Sequence, residues 1–294
     1  MEYYSLNQYL KDTFGEKVYK IALDGGFTCP NRDGTLDKRG CIFCSGMGSG
    51  DFSESRSLSL TRQIENGKKR LSKKIKDGKY IAYFQAFTNT YAPVSILRKK
   101  FEEAVSHPDI VGLSIATRPD CLPDDVIDLL IELNQKKPVW IELGLQTIHE
   151  NSADYIRRGY PLCVFDEAVS KLKKASITTV VHVILGIPGE SRTDMLDTVD
   201  YVGKSGVSGI KLQLLHVIEG TDLATEYEKG NFDTLSMEEY VEIVAECIAI
   251  LPENMVIHRL TGDGDKKTLI APLWSGDKKR VLNALNQKIK AYNR

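Results

Sequence analysis

Short apolar segments alternate with amphipathic ones along most of this 294-residue chain, and no other feature limits the fold as strongly. The apolar runs are typical of strands buried on both faces of a parallel sheet. They cover residues 18–24, 80–85, 110–116, 139–144, 178–185 and 209–214. The amphipathic segments predict helices over residues 60–76, 94–106, 124–134, 163–175 and 193–204. Repeated strand–helix units predict an α/β fold, a partial (β/α)6 barrel with its functional residues just after the strands.

The alternation ends after residue 216. Beyond it the sequence predicts a helix over residues 237–250, a strand over 255–259, a turn rich in Gly and Asp, and a charged helix over 278–292. We therefore expect two parts. Residues 1–216 form the barrel, and residues 217–294 form an α/β extension that closes the active site at its mouth.

Charge and cysteine content exclude several classes of protein. A net charge of −1 does not favour a large surface for nucleic-acid phosphates. One basic run lies between residues 68 and 79, and such runs are more often the solvated face of a helix than a contact with RNA. No apolar run approaches the roughly 20 residues of a membrane span, and the start of the chain lacks a secretory signal. Six cysteines are too few for a disulfide framework. Together, these features lead us to expect a soluble, cytoplasmic protein without membrane partners.

Three cysteines share one glycine-rich loop after the first predicted strand. Cys29, Cys41 and Cys44 have the spacing C-x11-C-x2-C, and thiolates are ligands for zinc and for iron–sulfur clusters. Structural zinc sites have four ligands, and no fourth Cys or His lies nearby in the sequence. Three thiolates leave one iron of a [4Fe-4S] cluster open. The loop therefore favours a cluster, while a non-enzymatic metal-binding module remains an alternative.

The cysteine loop, with Phe43 directly before Cys44, resembles the cysteine motif of the radical S-adenosylmethionine (SAM) superfamily. The segments LDGGFTCPNRDGT, AYFQAFTNTY, GLSIATRPDCLPD, WIELGLQT, GIPGE and HRLTGDGDKKTLIAPLW are similar to the YhcC-like bacterial family, and in part to the Elongator catalytic subunit. The resemblance implies a TIM-like partial barrel, a [4Fe-4S] cluster and SAM. It also implies reductive cleavage of SAM to a 5′-deoxyadenosyl radical, with an external one-electron donor such as flavodoxin or ferredoxin.

Polar residues near the predicted strand ends are candidate ligands of SAM. Glu142 is a candidate for the ribose diol, because one carboxylate can accept two hydrogen bonds. The resemblance places Arg158 at a position that touches the SAM carboxylate in related coproporphyrinogen dehydrogenases. The complete set of predicted cofactor-binding residues is Phe43, Gln85, Glu142, Gln146, Arg158, His182, Gln213 and His216.

For the substrate, the resemblance suggests queuine lyase, which releases 7-aminomethyl-7-deazaguanine from free queuine. A free deazapurine base needs no phosphate-binding surface, in keeping with the near-neutral charge. The candidate substrate-binding residues are Asp51, His258, Arg259, Asp263 and Asp265. A tRNA-modifying radical SAM enzyme is the alternative, based on the Elongator-like motifs and the basic run.

Overall fold

A computed structural model describes residues 3–46, 48, 53–73, 78–262, 264 and 266–292. Its main sheet has seven parallel strands in the order β1-β2-β3-β4-β5-β6-β8, curled into a partial barrel. The strands of this sheet are β1 (Val18–Leu23), β2 (Lys79–Phe84), β3 (Ile110–Thr117), β4 (Val139–Gln146), β5 (Thr178–Leu185), β6 (Gly209–Leu214) and β8 (Val256–Arg259). A second sheet pairs β7 (Val217–Ile218) with β9 (Leu269–Ala271) antiparallel. The predicted α/β partial barrel is confirmed.

Ten α-helices are present in the described part of the chain, and most of them pack against strands of the sheet. They are α1 (Leu6–Phe14), α2 (Leu60–Leu71), α3 (Val94–Val105), α4 (Asp124–Lys136), α5 (Glu150–Tyr155), α6 (Leu162–Lys174), α7 (Arg192–Lys204), α8 (Asp222–Glu228), α9 (Met237–Ile250) and α10 (Lys278–Tyr292). Serine side chains begin several of them. Ser191 and Ser236 form capping boxes with Asp194 and Glu239, which satisfy backbone N–H groups at the starts of α7 and α9. None of the described helices is long and apolar enough to cross a membrane.

The seventh strand comes from the C-terminal extension. β8 pairs parallel with β6, and Ile257 lies opposite Ile210 in the register. Because β6 ends the run of six predicted strand–helix units, its outer edge offers unpaired backbone groups, and β8 covers them. The sheet therefore continues past residue 216, and the division of the chain at that residue stays a prediction.

Helix α2 packs closely against strand β1 on the outside of the barrel. A Cβ atom added to Gly67 on α2 would lie 2.4 Å from Cγ2 of Ile21 on β1, so the helix approaches the strand through a glycine. Helix α2 was predicted to reach residue 76 and ends at Leu71, while residues 74–77 lie outside the described residues.

Candidate active site

Residues at the carboxyl ends of the strands surround one pocket. Gln85, Arg118 and Gln146 stand at the ends of β2, β3 and β4, and His216 follows β6. All four line the pocket together with the three cysteines of the predicted motif. This is the edge of a parallel α/β sheet at which functional residues are expected.

The three cysteines lie on one wall of this pocket and are half-buried. The Cys44 N–H donates to the Cys41 carbonyl oxygen at 3.0 Å, so a tight turn brings these two residues together. Burial, with the neighbouring Cys44, raises the pKa of the Cys41 thiol to about 12. Thiols that oppose each other's ionisation in this way become good thiolate ligands once a metal compensates their charge. The donor set fits an iron–sulfur cluster held by Cys29, Cys41 and Cys44.

Asn31 and Arg32 fix the shape of the cysteine loop. The buried Asn31 amide donates to the Arg157 carbonyl oxygen at 2.8 Å, and it lies 3.5 Å from Cys41 Sγ. The Arg32 guanidinium donates to the carbonyl oxygens of Cys44 and Ser45 at 2.8 Å and 2.7 Å. Arg32 therefore holds the loop through the loop's own backbone, whereas Asn31 attaches the loop to the segment after α5 and also reaches one ligand sulfur.

Glu142 lies fully buried at the floor of the pocket, surrounded by donors. Its Oε1 accepts from Lys20 Nζ at 2.6 Å and from Ser114 Oγ at 2.5 Å. Its Oε2 accepts from His182 Nε2 at 2.7 Å and from Lys211 Nζ. Burial alone would raise the pKa of Glu142, but the two lysines and His182 hold it well below its usual value. Glu142 is therefore an ionised centre that joins β1, β3, β5 and β6.

This arrangement bears on the role predicted for Glu142. A carboxylate has about four acceptor positions, and four protein donors occupy them here. A ribose diol would have to displace some of these donors. The geometry thus favours a positioning role for Glu142, and its contact with SAM stays a prediction.

His182 is also held in one protonation state. Burial and the nearby Lys211 lower its pKa to about 4, although the Glu142 carboxylate acts in the opposite direction. The imidazole is therefore neutral near pH 7, and its Nε2–H is assigned as the donor to Glu142 because the carboxylate can only accept.

Gln146 gives the clearest indication that the pocket suits a polar ligand. Its backbone φ is 71°, in the left-handed region that such residues rarely adopt. Its Oε1 is buried and has no hydrogen-bond partner among the described residues, although the residue lines the pocket. Buried acceptors are normally satisfied, and strained backbone is common at binding sites. The pocket thus fits a ligand with N–H or O–H groups, such as SAM.

Arg158 lines the pocket, but most of its N–H groups already donate hydrogen bonds to protein acceptors. The side chain donates to the carbonyl oxygens of Tyr160 and Thr147 at 2.9 Å and 2.6 Å, and to Glu150 at 3.2 Å. Its guanidinium carbon lies 4.7 Å from the Tyr160 ring centroid, a cation–π distance. Arg158 therefore holds the segment after β4 in place, and its contact with the SAM carboxylate stays a prediction.

The structure brings most of the other predicted residues to the same pocket. Phe43, Gln85, Gln213, His216 and Arg259 line it. His258 does not; it packs edge-on against Trp140 with 5.9 Å between ring centroids. The predicted substrate residues Asp51, Asp263 and Asp265 lie outside the described residues. Their roles stay predictions.

The sequence-based site omitted Lys20, Lys211, Ser114 and Tyr83. One signal pointed to them: charged and hydroxyl side chains interrupt strands that are otherwise apolar, and Lys211 alternates with Gln213 on one face of β6. Such residues are expensive to bury unless they are paired.

The comparison with known families decides the assignment. A family model described as the Radical SAM superfamily matches residues 37–202, and a Radical_SAM C-terminal domain matches residues 207–291. The chain belongs to the radical SAM superfamily. Radical SAM proteins use a [4Fe-4S] cluster and SAM. The chain is therefore a radical SAM enzyme, and the alternative of a purely structural metal module is set aside.

Two relatives cover nearly the whole chain. The uncharacterized protein YtqA of Bacillus subtilis is 50% identical over 287 residues, which are 98% of this chain and 89% of that protein. Protein YhcC of Escherichia coli is 39% identical over 262 residues, 89% of this chain and 84% of that protein. The predicted resemblance of this radical SAM chain to the YhcC-like family is confirmed.

More distant matches cover part of longer proteins. The tRNA uridine(34) acetyltransferase of Methanocaldococcus jannaschii is 27% identical over 168 residues, which are 56% of this chain and 30% of that protein. The solved structure of the archaeal Methanocaldococcus infernus Elp3, with residues 1–46 deleted, aligns with a TM-score of 0.69 at 18% identity. That alignment covers 92% of this chain and 63% of the other, and it shows a shared radical SAM fold.

Proposed function

We propose that this radical SAM enzyme modifies a nucleobase in tRNA. The observation that carries the proposal is the similarity of 56% of the chain to a protein named for an activity on uridine 34 of tRNA. Polar residues on the pocket floor and strand ends suit a ligand as rich in N–H and C=O groups as a base.

Different residues of the pocket would bind the cluster and SAM. Cys29, Cys41 and Cys44 would hold the cluster, and Gln146 with the neighbouring strand ends would contact SAM. When bound, the cluster and SAM supply one-electron cleavage of SAM and a radical able to remove a hydrogen atom from the substrate. The walls exclude water from the reacting groups. An external reductant of the flavodoxin or ferredoxin class would deliver the electron.

The described residues of the basic run lie away from the pocket. Lys68 Nζ pairs with Asp109 at 2.6 Å, just before the first residue of β3. Lys79 is itself the first residue of β2, and Arg70 pairs with Glu54. These residues thus border the amino-terminal edge of the sheet, opposite the cysteines. A tRNA whose base enters the pocket would be held elsewhere.

This position favours a second candidate, queuine lyase, because a free base needs no phosphate contacts at the mouth. The two candidates place the same radical chemistry on related substrates: a base within tRNA, or the free deazapurine queuine.

One experiment tests both candidates. Reconstituted enzyme is incubated anaerobically with SAM and reductant, and with either tRNA from cells that lack the corresponding gene or free queuine. Mass spectrometry then measures tRNA nucleosides, queuine and 5′-deoxyadenosine, with Cys44→Ala as the inactive control. The proposal expects a changed tRNA nucleoside that depends on SAM. Conversion of queuine with unchanged tRNA would replace it by the lyase, and 5′-deoxyadenosine formation with neither product would exclude both.

A further inference from the structure

Lys211 is a buried amino group on the floor of the pocket. It lies on β6, its residue is 4% exposed, and it lines the cavity. Its Nζ donates to Glu142 Oε2 and to the Tyr83 hydroxyl at 3.1 Å, and lies 4.5 Å from the Tyr83 ring centroid. These two oxygens are its hydrogen-bond partners among the described residues.

A lysine nitrogen has one bonding position more than these contacts use. Besides Cε, a tetrahedral nitrogen has three positions, occupied by hydrogens in the ammonium and by two hydrogens and a lone pair in the amine. Glu142 and Tyr83 take two of them. The third position is left for a molecule in the cavity.

Lys20 provides an internal comparison on the opposite side of the same carboxylate. Its Nζ donates to Glu142 Oε1 at 2.6 Å and to Ser114 Oγ at 3.1 Å, so it also neutralises this charge. Lys20 is not among the residues that line the pocket. If Glu142 needed only charge compensation, the two lysines would have equivalent roles.

Burial and the charges around Lys211 bring its pKa close to neutral pH. Glu142 on β4 contributes the negative charge that faces Lys211. Lys20 on β1 and Arg259 on β8 contribute positive charge. The other titratable neighbours are His182 on β5, His258 on β8 and the Tyr83 hydroxyl on β2. Burial, with Lys20 and Arg259, lowers the pKa of Lys211 to about 7, although Glu142 acts in the opposite direction. Both protonation states are therefore accessible near neutral pH.

We propose that Lys211 is a catalytic residue that contacts the substrate and accepts a proton from it. This inference rests on the proposed action on a nucleobase. The neutral amine takes the proton of a substrate N–H or O–H group; that bond breaks, its electron pair stays on the substrate heteroatom, and a new N–H bond forms on Nζ. The resulting ammonium lies beside the Glu142 carboxylate, and the proton returns to solvent when product leaves. Glu142 and Tyr83 position the amine.

Matched substitutions separate this role from charge compensation. Lys211→Arg keeps the positive charge but cannot lose its proton near neutral pH, and Lys20→Arg makes the same change on the other side of Glu142. General-base residues typically contribute on the order of 10²–10⁴-fold in rate. We expect Lys211→Arg to lower kcat for product at least 100-fold while 5′-deoxyadenosine still forms, and we expect the loss in Lys20→Arg to be at least 10-fold smaller than that in Lys211→Arg.

The pH profile provides a second readout. Because the active form is the neutral amine, the rate of product formation by the wild type should rise with pH and then level off. The midpoint of this rise should lie near pH 7, since burial and the neighbouring charges lower the pKa of Lys211 to about 7. The residual rate of Lys211→Arg should lack this rise. Equal losses in the two variants, or an unchanged profile in Lys211→Arg, would show that Lys211 only balances charge. Circular dichroism and iron content identify any variant that does not fold or load.

A third measurement needs no substrate and so distinguishes failure of this inference from failure of the proposed function. The holoenzyme is labelled with trace acetic anhydride over a range of pH, and peptide mass spectrometry follows Lys211 beside exposed Lys99. Lys211 should show a labelling midpoint near pH 7, because its pKa is lowered to about 7. A midpoint at the ordinary value of a lysine amine would overturn the inference even if tRNA were modified. A midpoint near pH 7 in an enzyme inactive on both substrates would place the failure in the substrate assignment.

Discussion

Arg157 and Asp222 connect the segment after α5 to the C-terminal extension, with 2.6 Å between Arg157 Nη1 and Asp222 Oδ2. One residue later, the Leu223 N–H donates to the Ile42 carbonyl oxygen at 3.0 Å. The Ile42 N–H in turn donates to the Ile156 carbonyl oxygen at 3.2 Å. Since Ile42 lies inside the cysteine loop, the extension and α5 hold this loop between them.

Asp222→Asn should therefore loosen the cluster more than it destabilises the fold. The pair is partly exposed, so the free energy of unfolding should fall by less than about 1 kcal/mol. Loss of iron to a chelator should become several-fold faster, as followed by absorbance under anaerobic conditions. Asp200→Asn removes a comparable exposed pair with Lys204, remote from the loop, and is the control. Equal rates in both variants would argue against the anchor.

Cys44→Ala should abolish the cluster and leave the fold intact. The residue lies on a half-buried loop outside the apolar core, so the apo forms of variant and wild type should have similar melting temperatures. Iron and sulfide should drop to background in the variant, and SAM cleavage should be lost. Exposed Cys163→Ala should change none of these quantities. Unfolding of Cys44→Ala would instead point to a structural role for the loop.

Asn31→Ala should lower the reduction potential of the cluster. The substitution removes an N–H group 3.5 Å from Cys41 Sγ, and hydrogen bonds to cluster sulfurs help set the potential. It also removes the donor to the Arg157 carbonyl oxygen, which should cost about 1–3 kcal/mol of stability. A redox titration followed by electron paramagnetic resonance measures the shift. Exposed Asn283→Ala is the control, and an unchanged potential in Asn31→Ala would contradict the prediction.

His182→Gln should remove part of the acid sensitivity of the fold. The folded-state pKa of His182 is lowered to about 4 from 6.5, so between these values the unfolded chain binds a proton that the native state does not. Stability therefore increases with pH across this window, and the wild type loses up to about 3 kcal/mol as pH falls through it. Urea unfolding between pH 5 and 7 measures the free energy of unfolding at each pH. This free energy should depend less steeply on pH in the variant than in the wild type. An unchanged slope in His182→Gln would contradict the prediction.

The regular elements of the barrel could be recognised from local patterns. The strands over residues 178–185 and 209–214 and the helices over 237–250 and 278–292 have the predicted bounds. Apolar periodicity is a local property, and long periodic segments display it clearly. The short elements α8, β7 and β9 were not predicted, because a few residues carry little periodicity and contacts with other parts of the chain stabilise them.

The sequence alone placed Cys29, Cys41 and Cys44 in one loop, because all three ligands lie within a short, glycine-rich segment. It could not place the charges on the pocket floor. Lys20 and Glu142 are 122 positions apart, and Glu142 and Lys211 are 69 apart. Their contact depends on strand order, register and the curl of the sheet, which arise from the packing of the whole barrel. A buried carboxylate with two lysines and a histidine is therefore a product of the tertiary fold, and it turns separate polar residues within apolar strands into a single charged site.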